Sequence, residues 1–374
     1  MKKRIRLKSV AELAEVSLST ASMILNRKEG VSFAAETVSR VMLAAQTLGY
    51  DQPLTMQNQE TAEKKKVIAV FLPSATGNYY SAISHAVNCA AHKKGYDTII
   101  FEAYRDSERE LRGLTFLSSL PISGIVFTYI PYHSEIIEKI SQTIPVVVIG
   151  TLNSFVKVDM IETDNYRGGV LMARHMLELG HRHVAFLATD RNWWGYPSTQ
   201  RIQGVRETFH KEYPDAKLTE RIQPMSSSLT QDSKFHSVKI GSQLAESCLD
   251  DKSITGFIAV NDYLAYGVLD ALARQGYSVP QDFSVCGCDD IFPSSLIQVN
   301  LTTVNHHVDE KGESAFDLLY RRMTKSQLDE EEKGKPMEIL RMEYLSSLVI
   351  RGTTARPAPL SKQKQHHPYI TGTR

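Results

Sequence analysis

The sequence lacks the features that would place the chain in a membrane or in an oxidising compartment. No apolar run is long enough to span a bilayer, and the basic N-terminus is not followed by the apolar segment of a secretory signal. Cys89, Cys248, Cys286 and Cys288 have no CxxC spacing, so we expect reduced core residues and not metal ligands. These absences predict a cytoplasmic protein with no membrane partner.

Signatures of common enzymes are also missing. No GxGxxG follows the first apolar strand, and neither a Walker-type phosphate loop nor a GxSxG motif occurs. HRH at 181–183 has no carboxylate or cysteine at metal-ligand spacing, whereas GCDD at 287–290 suits either a metal-binding acid pair or hydroxyl recognition. We therefore expect no catalytic residue, no cofactor and no metal. An α/β enzyme with an unrecognised site stays open as an alternative.

Charge is nearly balanced over the 374 residues, with 43 basic and 42 acidic side chains. Any affinity for nucleic acid must therefore be concentrated in one part of the chain. Residues 2–8 carry five basic side chains and no acidic one. Such an arm would attract phosphate groups, although a solvated N-terminus is the alternative interpretation.

Residues 9–49 carry the pattern of three short helices. A capping box at Ser9 predicts the start of the first helix, and Ser17 is the predicted cap of the second. The gap between these two helices is short enough for the tight corner of a helix-turn-helix. With a third helix expected from Ser32, residues 1–50 are predicted to be either a DNA-binding unit or an ordinary helical hairpin.

From Val67 onward, apolar runs typical of buried strands alternate with helical stretches. Strands that are apolar on both faces and alternate with helices indicate a parallel α/β architecture. Two sets of such strands predict two similar lobes, with a ligand in the cleft at the carboxyl ends of the strands. The predicted strands are 67–73, 96–103, 122–129, 145–150, 183–188, 255–260 and 283–288.

Composition sets the expected domain boundaries. Residues 51–66 lack apolar periodicity and are rich in Gln, Glu and Lys, as linkers are. The two-lobed core is expected over 67–354, and the tail 355–374, rich in polar residues and proline, is expected to be disordered. Since the tail has no leucine heptad, the sequence favours a homodimer over a tetramer.

Nine segments stand out along the chain: VAELAEVS, STASMILN, VS…ETVSRVMLAAQTLGY, DNYRGGVLMARHMLELGHRHVAFL, QRIQGVRETF, NDYLAYGVLDAL, VCGCDD, LTTV and LVIRGTT. In their order and spacing they resemble the lactose-repressor (LacI/GalR) family of bacterial transcription regulators, over residues 5–354. The resemblance implies an all-α helix-turn-helix headpiece, a hinge, and an α/β two-lobed periplasmic-binding-protein-like (type I) core. It further implies a repressor that binds a near-palindromic DNA operator as a dimer and is switched by a small polar effector, such as a sugar or sugar derivative. A solute-binding transport component would lack the helical front end.

The resemblance implies that the second helix enters the major groove of the operator. Short polar side chains on it match positions that contact phosphates, and three outward side chains match positions that read base edges. At the last of these the family usually has Arg, which binds guanine, and this chain has Met. Helix packing is the alternative role for Leu18 and Met23. The implied phosphate contacts are Ser17, Thr20, Ser22 and Asn26, and the implied base-reading residues are Leu18, Ser19 and Met23.

Five core residues match the family's effector-binding positions: Tyr79, Tyr80, Arg201, Asn261 and Asp289. Trp193 lies in a loop near the expected mouth of the cleft, where its ring could stack on a sugar, and is the sixth candidate. Carboxylate, guanidinium and amide groups together can accept from and donate to sugar hydroxyls. Packing between lobes is the alternative for the tyrosines, and an anchored surface loop is the alternative for Trp193. Asp262 fits either a ligand contact or the cap of the following helix.

Three departures from the family pattern set further expectations. Glu15 stands in the turn where glycine is usual, which predicts a left-handed glutamate. The hinge lacks the Ala-Arg pair and has Gln59 or Glu60 where a leucine would wedge into the minor groove, which predicts a flexible tether and weaker DNA kinking. Gly150 stands where many sugar-binding relatives have Asp, so one hydroxyl acceptor is missing.

Overall fold

The chain folds into two compact units, Met1–Glu63 and Lys64–Arg374. Most of the predicted hinge lies outside the described residues, as do Asn26, Ser32 and Trp193. None of the described helices is both long and apolar enough to cross a membrane. The computed structural model of the protein describes residues 7–25, 33–48, 50, 66–118, 120–151, 156–190, 197–224, 234–328 and 338–358.

Three helices form the described part of the N-terminal unit: α1 Leu7–Leu13, α2 Leu18–Leu25 and α3 Ala35–Leu48. Ser17 caps α2 as predicted, because the Thr20 amide donates to its hydroxyl at 3.0 Å. The predicted capping box at Ser9 is wrong: Ser9 lies inside α1, whose start is drawn forward by the packing of Leu7 on the core. That core consists of Val10, Ala11, Ala14, Ala21, Ile24, Val41 and Ala44.

Glu15 ends α1 with a left-handed backbone, φ 52°. The Val16 amide donates to the Ala11 carbonyl at 3.0 Å, and the Glu15 amide donates to the Glu12 carbonyl at 3.3 Å. These two bonds form a Schellman motif, in which glycine is the usual residue at the left-handed position. The expectation of a left-handed Glu15 is therefore confirmed.

The second unit contains two six-stranded sheets, and each is the centre of one lobe. All neighbours in the first sheet are parallel, whereas in the second sheet the last strand runs antiparallel to its neighbour. The first sheet has the order β11-β5-β4-β3-β1-β2, with β1 Val67–Leu72, β2 Asp97–Glu102, β3 Gly124–Phe127, β4 Val146–Thr151, β5 Asp159–Thr163 and β11 Arg341–Tyr344. The second has the order β12-β10-β9-β8-β6-β7, with β6 His183–Asp190, β7 Lys217–Pro224, β8 Gly256–Ala259, β9 Ser284–Asp289, β10 Thr302–Asn305 and β12 Ser347–Val349.

Helices cover both lobes, as expected for parallel strands that are apolar on two faces. Fully buried Phe71, Phe127, Phe186 and Phe257 lie on the central strands and anchor the two cores. The predicted two-lobed α/β architecture is confirmed. The helices are α4 Asn78–Lys93, α5 Ser107–Ser118, α6 Ser134–Ile140, α7 Asn165–Glu178, α8 Pro197–Glu212, α9 Lys234–Glu246, α10 Asp262–Arg274 and α11 Val308–Leu328.

In the part of the chain that the structure describes, three connections cross between the lobes. The first crossover joins β5 to α7 through Asp164, and the second joins β10 to α11 through His306 and His307. The third joins β11 to β12 through residues 345–346. These short connections bring the carboxyl ends of the central strands of both sheets to the same cleft.

The C-terminal boundary differs from the expected one. Ala355 lies against the second lobe and is held there by two hydrogen bonds. Its amide donates to the Ser284 hydroxyl at 3.0 Å, and its carbonyl oxygen lies 3.0 Å from His181 Nε2. The chain is thus held by the core beyond Thr354, because backbone groups of the tail bond to strand β9 and the helix-end histidine. Residues 359–374 lie outside the described part of the chain.

Candidate functional site

The amino-terminal half of α2 presents a polar surface. Ser17, Leu18 and Ser19 are exposed, and the Ser17 hydroxyl lies 2.8 Å from the hydroxyls of both Ser19 and Thr20. Ala21 and Ile24 are buried on the opposite face. The helix therefore leaves Leu18 51% exposed instead of packing it in the core. Thr20, Ser22 and Met23 are half-buried.

A cavity of about 160 Å³ lies between the two sheets at the carboxyl ends of their strands. Five of the six predicted effector residues line it, and Trp193 lies outside the described residues. Hydroxyl groups from both lobes add polar atoms to a lining that also has apolar surface. The predicted residues in the lining are Tyr79, Tyr80, Arg201, Asn261 and Asp289, and the hydroxyl residues are Ser74, Thr128, Thr151, Thr163, Thr189, Ser198 and Ser237.

Two glycines bring Arg201 to the cavity. Helices α7 and α8 cross so closely that a Cβ on Gly169 would lie 2.2 Å from the Arg201 carbonyl oxygen. A Cβ on Gly204 would lie 2.1 Å from the Tyr166 carbonyl oxygen. Because only glycine fits at both points, the crossing fixes where α8 starts and where the Arg201 side chain emerges.

Four acceptors hold the Arg201 guanidinium. Its Nε donates to Asn165 Oδ1 at 3.1 Å and its Nη1 to the Val260 carbonyl at 2.9 Å. Its Nη2 lies 3.1 Å from His306 Nε2 and 3.0 Å from Asp289 Oδ1. A guanidinium has five N–H groups, so one on Nη1 is left for a ligand once these described partners are counted.

The Arg201–Asp289 pair is a buried ion pair at the end of β9. Burial raises the pKa of the Asp289 carboxyl, and the Arg201 charge opposes that rise. Burial alone would lower the pKa of Arg201, but Asp289 together with Cys288, Tyr79 and Tyr80 outweighs it, and the pKa is raised. Asp289 also has a left-handed φ of 125°. This uncommon backbone turns the carboxylate toward the cleft and belongs to a site fixed by its surroundings.

The sequence left open whether Asp262 contacts a ligand or caps the following helix, but in the structure Asn261 is the residue that caps it. Asn261 lines the cavity and caps α10, since its Oδ1 accepts from the Leu264 amide at 2.9 Å. The cap uses only the oxygen, so the amide nitrogen of Asn261 can donate to a ligand. Asp262 neither caps the helix nor lines the cavity: it is fully buried and accepts from the Ile291 amide at 3.1 Å and the Ser294 hydroxyl at 2.6 Å.

Tyr79 and Tyr80 stand in the first turn of α4, with their rings edge to face at 5.1 Å. Arg105 donates to the Tyr80 hydroxyl, and its guanidinium carbon lies 5.5 Å from the centre of that ring. The Tyr79 ring also meets His306 edge-on at 6.5 Å. Both tyrosines therefore line the cavity, and Tyr79 also contacts the crossover residue His306, so the two interpretations from the sequence are compatible for Tyr79.

Position 150 is occupied by glycine for a steric reason that the sequence did not indicate. A Cβ at this position would lie 2.1 Å from Cδ1 of Ile130. Ile130 therefore occupies the space that a side chain at position 150 would need, and this wall of the cavity is apolar. Sequence analysis noted the missing carboxylate but not the residue that replaces it.

His306 and Lys311 were not predicted from the sequence, and both are fully buried beside the cavity. Lys311 Nζ donates to Thr163 Oγ1 at 2.5 Å. A signal was present: NHH at 305–307 places polar residues directly after an apolar strand, at the sheet edge where ligands bind. The charged character of residues 305–311 made them look solvated.

One group of possible metal ligands occurs among the described residues. Cys288, Asp289 and His306 offer ligand atoms that all lie within 4.8 Å of one another. The Arg201 Nη2, however, already lies about as close to Asp289 and His306 as a hydrogen bond requires. Burial also raises the pKa of the Cys288 thiol, and metals bind the thiolate. The cluster thus holds a guanidinium cation, which a metal ion would have to displace.

A helix-turn-helix unit followed by a two-lobed core with a polar interlobe cavity defines the class of ligand-binding transcription regulators. Two family models match the chain: "Bacterial regulatory proteins, lacI family" over residues 6–52, and "Periplasmic binding protein-like domain" over residues 173–354. The chain belongs to the LacI family of bacterial transcription regulators. The family resemblance found in the sequence is thereby confirmed.

The chain is similar to relatives over most of its length. It is 28% identical over 307 residues to the transcriptional regulator DegA of Bacillus subtilis, covering 81% of this chain and 87% of DegA. A ribose-bound LacI-family regulator from Enterococcus faecium has a similar fold, with a TM-score of 0.63, 24% identity and coverage of 78% and 100%. The Lac repressor bound to ONPG gives a TM-score of 0.65, 23% identity and coverage of 94% and 100%. The prediction of a regulator instead of an enzyme is confirmed by this family membership.

Proposed function

We propose that this regulator binds a near-palindromic operator as a homodimer and is switched by a small polyhydroxylated effector, a sugar or sugar derivative, in the interlobe cavity. The observation that carries the proposal is the Arg201–Asp289 pair facing a cavity rich in hydroxyl groups. The regulator works in the cytoplasm, where its DNA lies. Repression is the favoured direction of control, by analogy with the Lac repressor.

The chemistry of the cavity supports a sugar. Asp289 can accept from two adjacent hydroxyls, while the remaining Arg201 N–H and the Asn261 amide donate to hydroxyl or ring oxygens. Tyr79 and Tyr80 offer ring faces and edges to the apolar C–H side of a sugar. The proteins of similar fold with bound ribose and ONPG carry ligands of this kind.

Exposed apolar side chains support a homodimer. Phe292 is 74% exposed and Ile297 is 94% exposed, on the segment that follows β9. Asp262 holds this segment through Ile291 and Ser294. Large apolar groups on a rigid surface favour association, and a second copy of this chain is the proposed partner. Sedimentation at micromolar concentration should give twice the mass of the 42.0 kDa chain.

The surface of α2 supports the proposed division of DNA contacts. Ser17, Thr20, Ser22 and Asn26 would contact phosphates, and Leu18, Ser19 and Met23 would read base edges. The side chain of Met23 can make only apolar contacts, such as with a thymine methyl. We therefore expect T or A at the base step that Met23 meets.

Binding-site selection from random duplex DNA with the full-length protein tests DNA reading. One palindromic motif should emerge, and Met23→Arg should shift the preference toward G at one symmetric step, by about 1–3 kcal/mol of discrimination. Ser22→Ala is the matched control, because losing a phosphate contact weakens all sequences alike. An unchanged motif with Met23→Arg would contradict the proposed placement of α2.

A separate experiment tests effector binding. A thermal-shift screen of pentoses, hexoses, disaccharides and their derivatives should find a ligand that stabilises the protein, as expected for a ligand that binds only the folded state. Arg201→Ala should abolish that shift and leave selected-operator binding intact. Arg206→Ala is the matched control, since Arg206 lies on the same helix and pairs with Glu220 on the surface. Loss of both activities in Arg201→Ala would indicate a folding defect.

The domain and hinge assignments belong to the same proposal. Residues 1–50 would read DNA, 51–66 would act as a flexible tether, and 67–354 would bind effector and form the dimer. Because the proposed tether has no wedge residue, we expect no central minor-groove kink in the operator. Chemical footprinting that reveals a kinked central step would contradict this expectation.

A further inference from the structure

The three crossovers are joined by one chain of buried hydrogen bonds that starts at Arg201. Asn165, at the end of the first crossover, accepts from Arg201 Nε at 3.1 Å. His306, in the second crossover, lies with its Nε2 3.1 Å from Arg201 Nη2. The other ring nitrogen of His306, Nδ1, lies 2.7 Å from the hydroxyl of Ser346, which is in the third crossover. Arg201 thus reaches all three connections between the lobes through one or two hydrogen bonds.

The direction of these hydrogen bonds is fixed by the guanidinium. Arginine has only donors, so His306 Nε2 must accept from Arg201 and must carry no proton. A neutral imidazole then has its proton on Nδ1, which donates to the Ser346 hydroxyl oxygen. Burial, followed by the Arg201 charge, lowers the pKa of His306 well below its usual value, in agreement with a neutral ring.

The hydrogen bonds that join Arg201, His306 and Ser346 are costly to break because all three residues are buried. Arg201 is 6% exposed, His306 is fully buried and Ser346 is 2% exposed. If the chain of bonds broke, His306 and Ser346 would lose hydrogen-bond partners in the interior, which costs more than losing a surface hydrogen bond. Cys288 Sγ also lies 3.1 Å from His306 Nε2, but a thiol is a weak donor beside a charged guanidinium.

We propose that His306 is a positioning residue that couples the effector-contacting Arg201 to the third crossover, through Ser346, and so fixes the relative orientation of the two lobes. An effector that pulls on Arg201 would then act on the connections between lobes and not only on the cavity wall. The proposal rests on the proposed function only where it takes Arg201 to be an effector contact. The orientation itself can be measured with neither effector nor DNA present.

Double electron–electron resonance on the full-length protein can measure the lobe orientation. Spin labels are attached at His92→Cys on α4 and Gln275→Cys after α10, both exposed positions in different lobes, in a Cys89→Ser background. Dilution with unlabelled protein removes distances between protomers. The remaining cysteines, Cys248, Cys286 and Cys288, are buried.

Ser346→Ala is the main variant, because it removes one hydroxyl and should not prevent folding. We expect its interlobe distance distribution to shift or broaden by about 2 Å or more, the scale of domain rearrangements. His306→Leu, which can make neither bond, should do the same. His306→Gln should restore the parent distribution, because its amide can accept from Arg201 and donate to Ser346.

Two further variants separate coupling from local damage. Arg201→Lys keeps the charge but loses the fork that spans Asn165 and His306. If all three groups form one path, Arg201→Lys combined with Ser346→Ala should change the distribution no more than either change alone. Cys288→Ala touches the same imidazole off the path and should leave the distribution unchanged.

An unchanged distribution in Ser346→Ala, or additive effects of Arg201→Lys and Ser346→Ala, would overturn the proposal. Neither result would bear on whether the protein selects an operator or binds a sugar, which the separate experiments above decide. Equal changes in His306→Gln and His306→Leu would also overturn it, since the ring would then act only by filling space.

Discussion

The ammonium of Lys311 is the most unusual group near the cavity, and replacing it should change how stability depends on pH. The side chain is fully buried on α11, and Thr163 is the one hydrogen-bond partner of its Nζ among the described residues. Burial, followed by the Arg201 charge, lowers the pKa of Lys311 from 10.5 to about 7. The fold therefore tolerates the charged form of this side chain poorly.

The direction and size of this change of stability with pH follow from the difference in proton binding between the folded and unfolded chains. Between pH 7 and 10.5 the unfolded chain holds a proton on Lys311 that the folded chain lacks, so stability rises with pH through this window. One pH unit is worth about 1.4 kcal/mol, which gives up to about 5 kcal/mol over the window. Below pH 7 both states are protonated, and the full penalty remains.

Lys311→Met should remove this penalty, because methionine fills a similar volume without a charge. Losing the bond to Thr163 costs about 1 kcal/mol. At pH 6 the variant should therefore be more stable than the parent by up to about 4 kcal/mol, and this advantage should vanish near pH 10. Urea denaturation of the full-length protein between pH 6 and 10, followed by circular dichroism of the core transition, measures the difference.

Lys93→Met is the matched control, since the Lys93 side chain is 70% exposed and pairs with Glu313 on the surface. Its stability should differ from the parent by less than about 1 kcal/mol at every pH. A constant difference between Lys311→Met and the parent across this range would refute the reasoning, because it would mean that the ammonium is solvated in the folded protein.

Three further predictions concern single residues. Glu15→Gly should raise the midpoint of thermal unfolding of the N-terminal unit, with a gain of about 1 kcal/mol, because the left-handed backbone at this position favours glycine; an unchanged midpoint would mean that the helix end is not strained. Burial raises the pKa of Asp262 to about 7, so the folded chain holds an extra proton between pH 4 and 7 and loses up to about 4 kcal/mol as pH rises through that window. Asp262→Asn should abolish this slope in urea titrations, and a retained slope would assign it to another group. Gly204→Ala should cost about 1–3 kcal/mol and weaken effector binding in calorimetry, since its Cβ would collide with Tyr166, whereas Gln203→Ala on the exposed side of α8 should do neither.

Most central strands were predictable because burial on both faces leaves a direct mark on sequence, although the interior strands β5 and β10 were missed. All seven predicted strands occur, within a few residues of their predicted ends. Strand β7 was missed because it is an edge strand that pairs only with β6, and its residues are half-exposed and polar. Strand β12, only three residues long, has too little pattern to recognise. Helix α11 was missed because its many charges conceal the apolar face that packs on the first lobe.

The site could be predicted only in part, for a different reason. Arg201, Asn261 and Asp289 carry the residue types that bind hydroxyls, and family resemblance gave their positions. His306 and Lys311 have types that are usually exposed, and only tertiary packing reveals that they are buried. A sequence indicates which groups are available, but partner and burial are set by chain segments more than a hundred residues away, as for the Lys311–Thr163 pair.

The two walls of the cavity differ in how firmly their groups are held, and this difference determines what the site can recognise. On the second lobe, Arg201 has four acceptors, Asp289 is fixed by its backbone and its ion pair, and Asn261 is fixed by its cap. Groups already ordered before binding lose little entropy when a ligand arrives, so they contribute most of their hydrogen-bond energy to affinity. On the first lobe, Ile130 fills the space beside Gly150 and removes room for a charged side chain. The charged pair that binds hydroxyls therefore belongs to the second lobe, while the first lobe adds hydroxyl groups, Arg105 and the apolar side chain of Ile130, whose combined shape selects among ligands that carry hydroxyls.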